Sequence, residues 1–200
     1  MKLRGPKGRI ARRLGIAISP KTARILERRP PPPGQHGPSR RPSKTREYHK
    51  QLLEKQRLRA QYGSSESQLR ALYRKATRLR GNTGERLLQL LERRLDAVAL
   101  RSGFAPTLFA ARQLVAHGHF AVNGRRSPVP SHRIGPNDVV PLRPKSREMP
   151  LIVDSRERYK PAGYLQVDAA SHSIRFPTDP LRAEVPVICE VSLVVEYYSR

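Results

Sequence analysis

Ala111-Arg112-Gln113-Leu114-Val115-Ala116-His117-Gly118-His119-Phe120-Ala121-Val122-Asn123-Gly124-Arg125-Arg126 changes its period halfway along. Before Gly118, the residues Leu108, Ala111, Leu114 and Val115 are spaced for one face of a helix, which Thr107 can cap and Gly118 can close. After it, Phe120-Ala121-Val122 reads as a short strand and Asn123-Gly124 as a tight turn. A second turn and strand follow at Gly135-Pro136-Asn137-Asp138 and Val139-Val140. On the upstream side, Leu87, Leu88, Leu91, Leu95 and Val98 keep helical spacing through Arg101, and Gly103 ends the run. Residues 92–150 are therefore expected to form a compact module of two helices and a small sheet, giving the chain an α+β class.

Further upstream the pattern is helical. From about Arg46, the residues Tyr48, Leu52 and Leu53 share a face, and Gly63 stops that helix. Ser65 and Gln68 then form a capping-box pair ahead of Leu69, Leu72, Tyr73, Ala76 and Leu79. The opposite stripe holds Arg70, Arg74 and Arg78 at i+4 spacing, so one face packs while the other meets solvent or phosphate. Gly81-Asn82-Thr83-Gly84 breaks the helix, with Thr83 as the expected cap of the next. This gives a mainly helical domain over 46–91. Residues 1–45 hold Pro6, Pro20, Pro30 to Pro33, Pro38 and Pro42 among many Arg, and read as a basic, extended segment without a conventional core of its own. Within it, Pro33-Gly34-Gln35-His36-Gly37 is expected to form a compact turn. Residues 151–200 alternate between apolar and polar, notably at Tyr164-Leu165-Gln166-Val167 and Ser173-Ile174-Arg175-Phe176, and are expected to return and complete the helical domain. Val187 to Tyr198 fits either a strand or a helix.

Charge points to the partner. The 200 residues include 40 Lys and Arg against 16 Asp and Glu, a formal net charge of +24 that calls for a polyanion. Residues 1–62 carry 18 basic and 3 acidic side chains, residues 63–150 carry 16 and 6, and residues 151–200 carry 6 and 7. The first three quarters therefore meet the polyanion, and the near-neutral remainder packs the fold and faces neighbouring protein. Arg outnumbers Lys 31 to 9, and a guanidinium can fork onto phosphate where an ammonium cannot. With 11 Phe and Tyr and no Trp, a base-stacking platform for single strands is poorly supplied, so folded RNA or duplex backbone is the expected ligand. The single Cys189 excludes an internal disulfide and every multi-Cys zinc pattern. No apolar run approaches the roughly 18 residues of a membrane span, and no signal-peptide h-region follows Met1–Leu3, so no membrane partner is expected.

Arg94-Leu95-Asp96, Ala111-Arg112-Gln113-Leu114-Val115, His117-Gly118-His119, Val122-Asn123-Gly124 and Asp138-Val139-Val140 resemble, in order and spacing, the RNA-binding domain named after protein four of the small ribosomal subunit. Pro33-Gly34-Gln35-His36-Gly37, Glu54-Lys55-Gln56, Gly81-Asn82-Thr83-Gly84-Glu85 and Glu196-Tyr197-Tyr198-Ser199-Arg200 extend the resemblance to that ribosomal protein family over nearly the whole chain. The resemblance implies a primary binder of small-subunit rRNA that nucleates assembly of the subunit body. It also implies contact with ribosomal protein five at an interface linked to decoding accuracy, a place beside the mRNA entry path, and in some members repression of their own operon. A ribosome in the cytoplasm is the implied location, an organellar ribosome the alternative.

Carried over by position, Arg94, Arg112, Gln113, His117, His119, Asn123 and Arg125 fall on RNA-facing sites of the domain. The hairpin at Asn123-Gly124 would project Arg126 beside Arg125. Arg133, the stripe of Arg70, Arg74 and Arg78, and Arg12, Arg13, Gln35 and His36 in the N-terminal segment complete the candidate RNA contacts. Asp96 is expected to be structural, paired with a nearby Arg, because a carboxylate facing phosphate would be repelled; Asp138 is expected to order its turn. Some members of the family bind zinc through N-terminal cysteines where this sequence has Gly8 and Ala11, so neither zinc nor any other cofactor is expected. Two other classes compete. The same module accompanies catalytic domains in RNA-modifying enzymes, but residues 1–90 lack a Gly-rich nucleotide loop and the acidic residues form no obvious catalytic pair. A ribosome-associated RNA chaperone is the third reading, against which the Pro-Gly-Gln-His-Gly block and the Tyr-Tyr-Ser-Arg ending argue.

Overall fold

The computed structural model describes residues 5–34, 46–168 and 170–200. The chain divides into two compact units, Met1–Leu87 with Val187–Arg200, and Leu88–Pro186.

In the first unit, α1 (Lys7–Leu14) and α2 (Pro20–Arg28) occupy the segment expected to be extended. Their formation has local causes. Ser19 and Thr22 form a reciprocal capping box, and Pro20 at the first helical position presets its backbone angle. Gly15, at φ 66°, ends α1 in the left-handed conformation. A small core of Ala11, Leu14, Ile16, Ile18 and Ala60 then holds the pair to α3 (Glu47–Gln61), where Arg57 Nε donates to the Leu14 carbonyl at 2.8 Å. The Arg density of residues 1–30 conceals this short apolar set.

The buried face of α3 is Gln51, Glu54, Lys55 and Leu58, whereas Tyr48, expected to share a packed face with Leu52 and Leu53, is half exposed. The reason is α9 (Val191–Ser199), which packs along α3; the ambiguous 187–198 stretch is helical from Val191 onward, and residues 187–190 form neither helix nor strand. Gln51 donates to Glu196 at 2.9 Å, and Glu54 accepts the Glu190 backbone N–H at 2.9 Å. The Lys55 ammonium lies 4.2 Å from the centre of the Tyr197 ring. α4 (Glu66–Thr77) starts at the expected Ser65–Gln68 capping box and buries Leu69, Leu72 and Ala76. Full burial of a Leu contributes about 1.5–3 kcal/mol. Tyr73 stacks on Tyr198 at 5.0 Å, and the Tyr198 hydroxyl donates to Glu66 at 2.8 Å.

α5 (Thr83–Glu92) is capped by Asn82 rather than Thr83: the Asn82 side-chain oxygen accepts from the N–H groups of Gly84 and Glu85 at 2.8 and 3.3 Å. The run expected to continue as one helix to Arg101 instead breaks, and α6 (Leu95–Arg101) begins after an extended Arg94. The break lets the backbone pair sideways. Ile134 N–H bonds the Arg93 carbonyl at 2.7 Å, Leu95 N–H the His132 carbonyl at 2.8 Å and Asp96 N–H the Pro130 carbonyl at 3.1 Å. α7 (Leu108–Ala116) has its expected Thr107 cap.

The strands are β1 (Ala121–Val122), β2 (Arg125–Arg126), β3 (Val139–Pro141), β4 (Gln166–Asp168) and β5 (Ser173–Arg175). β1 and β2 form the expected hairpin, with Asn123 and Gly124 both at positive φ (49° and 79°), the geometry of the tight turn that matches strand twist. β3, β5 and β4 form an antiparallel sheet in that order, with Val140, Ile174 and Val167 in register. The sheet of the 92–150 module is thus completed by residues 166–175, and α8 (Pro150–Arg158), which the alternating pattern did not foretell, buries Ile152 in the same core. Residues 151–186 pack with the second unit, and only 187–200 return to the helical one. The core of the second unit joins Leu95, Val98, Phe104, Leu114, Val115, Phe120, Ile134, Val140 and Phe176.

Candidate nucleic-acid interface

Asp96 organises the beginning of the site in the second unit. Its carboxylate is fully buried and accepts four hydrogen bonds: Arg94 Nε and Nη2 at 3.0 and 2.9 Å, the Ala97 N–H at 3.0 Å and Arg112 Nε at 2.7 Å. The expected ion pair of Asp96 is therefore a triad. The Arg94 side chain, expected on an RNA-facing position, is only 5% exposed and is held inside this triad. Arg112, a quarter exposed, reaches from α7 to the same carboxylate, which fixes its guanidinium at the surface.

The C-terminal end of α7 gathers the other cations. Gln113 and His117 are exposed. Gly118, at φ 75°, turns the chain, and a Cβ there would sit 2.2 Å from Arg126 Nε. The absence of a side chain thus lets the Arg126 guanidinium lie against this turn, where Nη2 donates to the His117 carbonyl at 3.4 Å. Arg143, which sequence reasoning missed because it follows the strand without a motif, donates from Nη1 to the Gly118 carbonyl at 3.3 Å. His119 Nδ1 and Ser146 Oγ are 2.8 Å apart. Burial foremost, with repulsion from the nearby His117 ring and Arg143 guanidinium, pushes the His119 imidazole below its usual pKa.

Arg125, Arg126 and Arg133 are exposed. Asn123 is exposed as well but is committed to the fold: its side chain donates to Asp138 at 2.8 Å and accepts the Val139 N–H at 3.0 Å. Asp138 also accepts the Gly135 N–H at 2.6 Å, the turn-ordering role expected of it.

In the first unit, Arg70 and Arg74 project from α4, and Arg78 from its C-terminal cap, into solvent, and they form no ion pair among the described residues. By contrast, the cations of α3 are matched: Arg57 bonds Glu54 at 2.6 Å, and Lys55 and Arg59 reach Glu66 at 3.1 and 3.4 Å. Arg13 is exposed, and Arg12 is half-buried with its Nε donating to the Pro31 carbonyl at 2.9 Å. Gln35 and His36 lie outside the described residues. Among the described residues, no group of three or more His, Cys, Asp or Glu is placed to hold a metal ion, and no helix is long and apolar enough to cross a membrane.

These surfaces can hold phosphates and sugar hydroxyls by shape and charge. Comparison with known proteins agrees with that chemistry. Residues 2–92 match the family described as ribosomal protein S4/S9 N-terminal domain, and residues 93–140 match the S4 domain. The chain is 50% identical to the small ribosomal subunit protein uS4 of Streptomyces avermitilis, over 98% of this chain and 97% of that protein. It is 45% identical to the protein of the same name from Chlorobium phaeovibrioides, over 100% and 99%. Together with the two-unit fold and the cationic ends of α4 and α7, these similarities show that the chain belongs to the uS4 family of small ribosomal subunit proteins.

Proposed function

We propose that the chain is a structural, non-enzymatic constituent of the small ribosomal subunit that binds its rRNA as a primary binder and nucleates assembly of the subunit body. The observation that carries this reading is the end of α7. Gln113, His117 and Arg126 are exposed there, Arg125 and Arg133 are exposed elsewhere on the same unit, and the Asp96 carboxylate is buried under two arginines. Such a surface attracts a phosphate backbone and has little use for a small neutral substrate. The near-neutral segment 151–200 supports contacts with neighbouring proteins, ribosomal protein five among them, and the exposed cations of α4 fit the mRNA entry path or further rRNA.

Footprinting of the full chain on small-subunit rRNA tests the reading. Protection of a localised set of helices, weakened more by Arg112→Glu than by Arg175→Glu, is the expected result. Equal effects of the two substitutions would remove the α7 surface from the interface.

A further inference from the structure

Beside the β1–β2 hairpin lies an open groove of about 690 Å³, lined by Val122, Arg125, Pro128, Val129, His132 and Asp138 among others. That volume is within the usual range for a small-molecule-sized ligand. Its surface falls into three chemical zones. Val122, Pro128 and Val129 make an apolar floor, and Val129 is 49% exposed in the middle of a cationic surface. Arg125 and Arg126 supply positive charge on one side, and His132 offers an exposed ring. The third zone is Asp138, whose two oxygens take one hydrogen bond each from Asn123 and Gly135 and keep further lone pairs for a donor.

An uninterrupted RNA duplex satisfies only the cations. Its base faces are stacked inside, it presents nothing apolar to cover Val129, and its phosphates are repelled by Asp138. An unpaired nucleotide satisfies all three zones at once. Its phosphate meets Arg125 and Arg126, its base lies flat on the Pro128 and Val129 floor beside the His132 ring, and its edge N–H donates to Asp138. Bases free of a partner are the usual target of specific RNA recognition, and imidazole and guanidinium planes serve as stacking surfaces. We infer that this groove is a receptor for one unpaired RNA nucleotide, so that the rRNA element held by the hairpin contains a bulged or looped-out residue. The inference rests on the RNA-binding reading above and adds to it a specific subsite.

The test uses the full chain and two RNA probes: a plain duplex of about 16 base pairs, and the same duplex with one bulged 2-aminopurine. The bulged probe should bind about tenfold more tightly, the scale of one stacked base, and its fluorescence should change on binding. A double variant, Val129→Ser with His132→Ala, alters two exposed side chains and should bring the two probes to within about twofold of each other without changing affinity for the plain duplex. Arg125→Ala should weaken both probes alike. Equal affinity of the unsubstituted protein for the two probes overturns the groove while leaving RNA binding intact, as does a double variant that keeps the tenfold preference. Failure to bind either probe in a salt-dependent way overturns the RNA reading itself.

Discussion

The arginines of α4 and those around α7 carry the same charge and are held in opposite ways. Arg70 and Arg74, on a helix whose other face is packed, and Arg78 at its C-terminal cap stand in solvent, and no carboxylate restrains them among the described residues. Arg112 is pinned to buried Asp96, and Arg126 lies on the turn that Gly118 leaves open. The first group can follow a phosphate wherever it lies, at the entropic cost of ordering long side chains on binding. The second is ordered in advance, so it loses less freedom on binding and demands a particular geometry of its ligand. The α4 stripe should therefore act as an adaptable electrostatic contact, and the α7 end as the part that selects shape.

The strongest way to break this contrast is to remove the anchor. Asp96→Ala leaves Arg94 buried without its counter-charge, and should cost about 3–5 kcal/mol in urea unfolding. A loss under 1 kcal/mol would mean that the triad is incidental to the fold. Arg112→Glu comes next: losing a charge-assisted contact and adding a repulsive one should weaken rRNA binding by about 10- to 100-fold in filter binding. Gly118→Ala has two consequences, about 1–2 kcal/mol for a left-handed backbone carrying a Cβ and displacement of Arg126. RNA affinity should then fall more than stability alone explains.

Arg-to-Lys exchange sharpens the comparison most directly. At Arg112 it should weaken binding, since an ammonium cannot keep the side-on bond to Asp96 and also serve phosphate; at Arg74 it should change little, because a point charge in solvent is all that position needs. Replacing any one of Arg70, Arg74 and Arg78 by Ala should flatten the salt dependence of log K by about 1, provided each meets a phosphate. The smallest effect is that of pH. The folded His119 pKa lies below its unfolded value, so between the two the unfolded chain holds more protons. Stability should therefore rise as pH increases toward about 6.5 and level off above it. An NMR titration that put His119 above 6.5 would reverse the sign.

Much of the second unit was legible because its signals are local. The Thr107 cap, the Gly118 stop and the Asn123-Gly124 turn each set a backbone conformation through the residue itself. The break at Arg94 was not legible, since Leu91, Leu95 and Val98 keep perfect helical spacing across it. What interrupts the helix is backbone pairing with residues 130–134, a partner nearly forty positions away that no window of periodicity contains. The same kind of distance hid the role of Arg94, whose burial depends on how Asp96 is enclosed. In the first unit, α1 and α2 were obscured by composition: few apolar residues are enough when Ala60 and Leu53 of α3 supply the rest of the core. The α3 face was misjudged for a related reason, because Gln51, Glu54 and Lys55 are buried by specific bonds to α9 rather than by their hydrophobicity.

The packing of α9 on α3 also sets an order of events during synthesis. Residues 88–186, which form the whole of the second unit, leave the translating ribosome before the segment that α3 needs to cover its polar face. Domains generally fold as they emerge, so the unit that begins first in the chain is the one that must finish last. Until Val187–Arg200 arrives, Lys55 and Glu54 stay hydrated and the tyrosine cluster of Tyr73 and Tyr198 cannot close. A nascent chain from which residues 88–186 have emerged but 187–200 have not should therefore carry a finished module beside a helical unit still open to chaperones and proteases, and completion of the first unit would report that residues 88–186 have already been made.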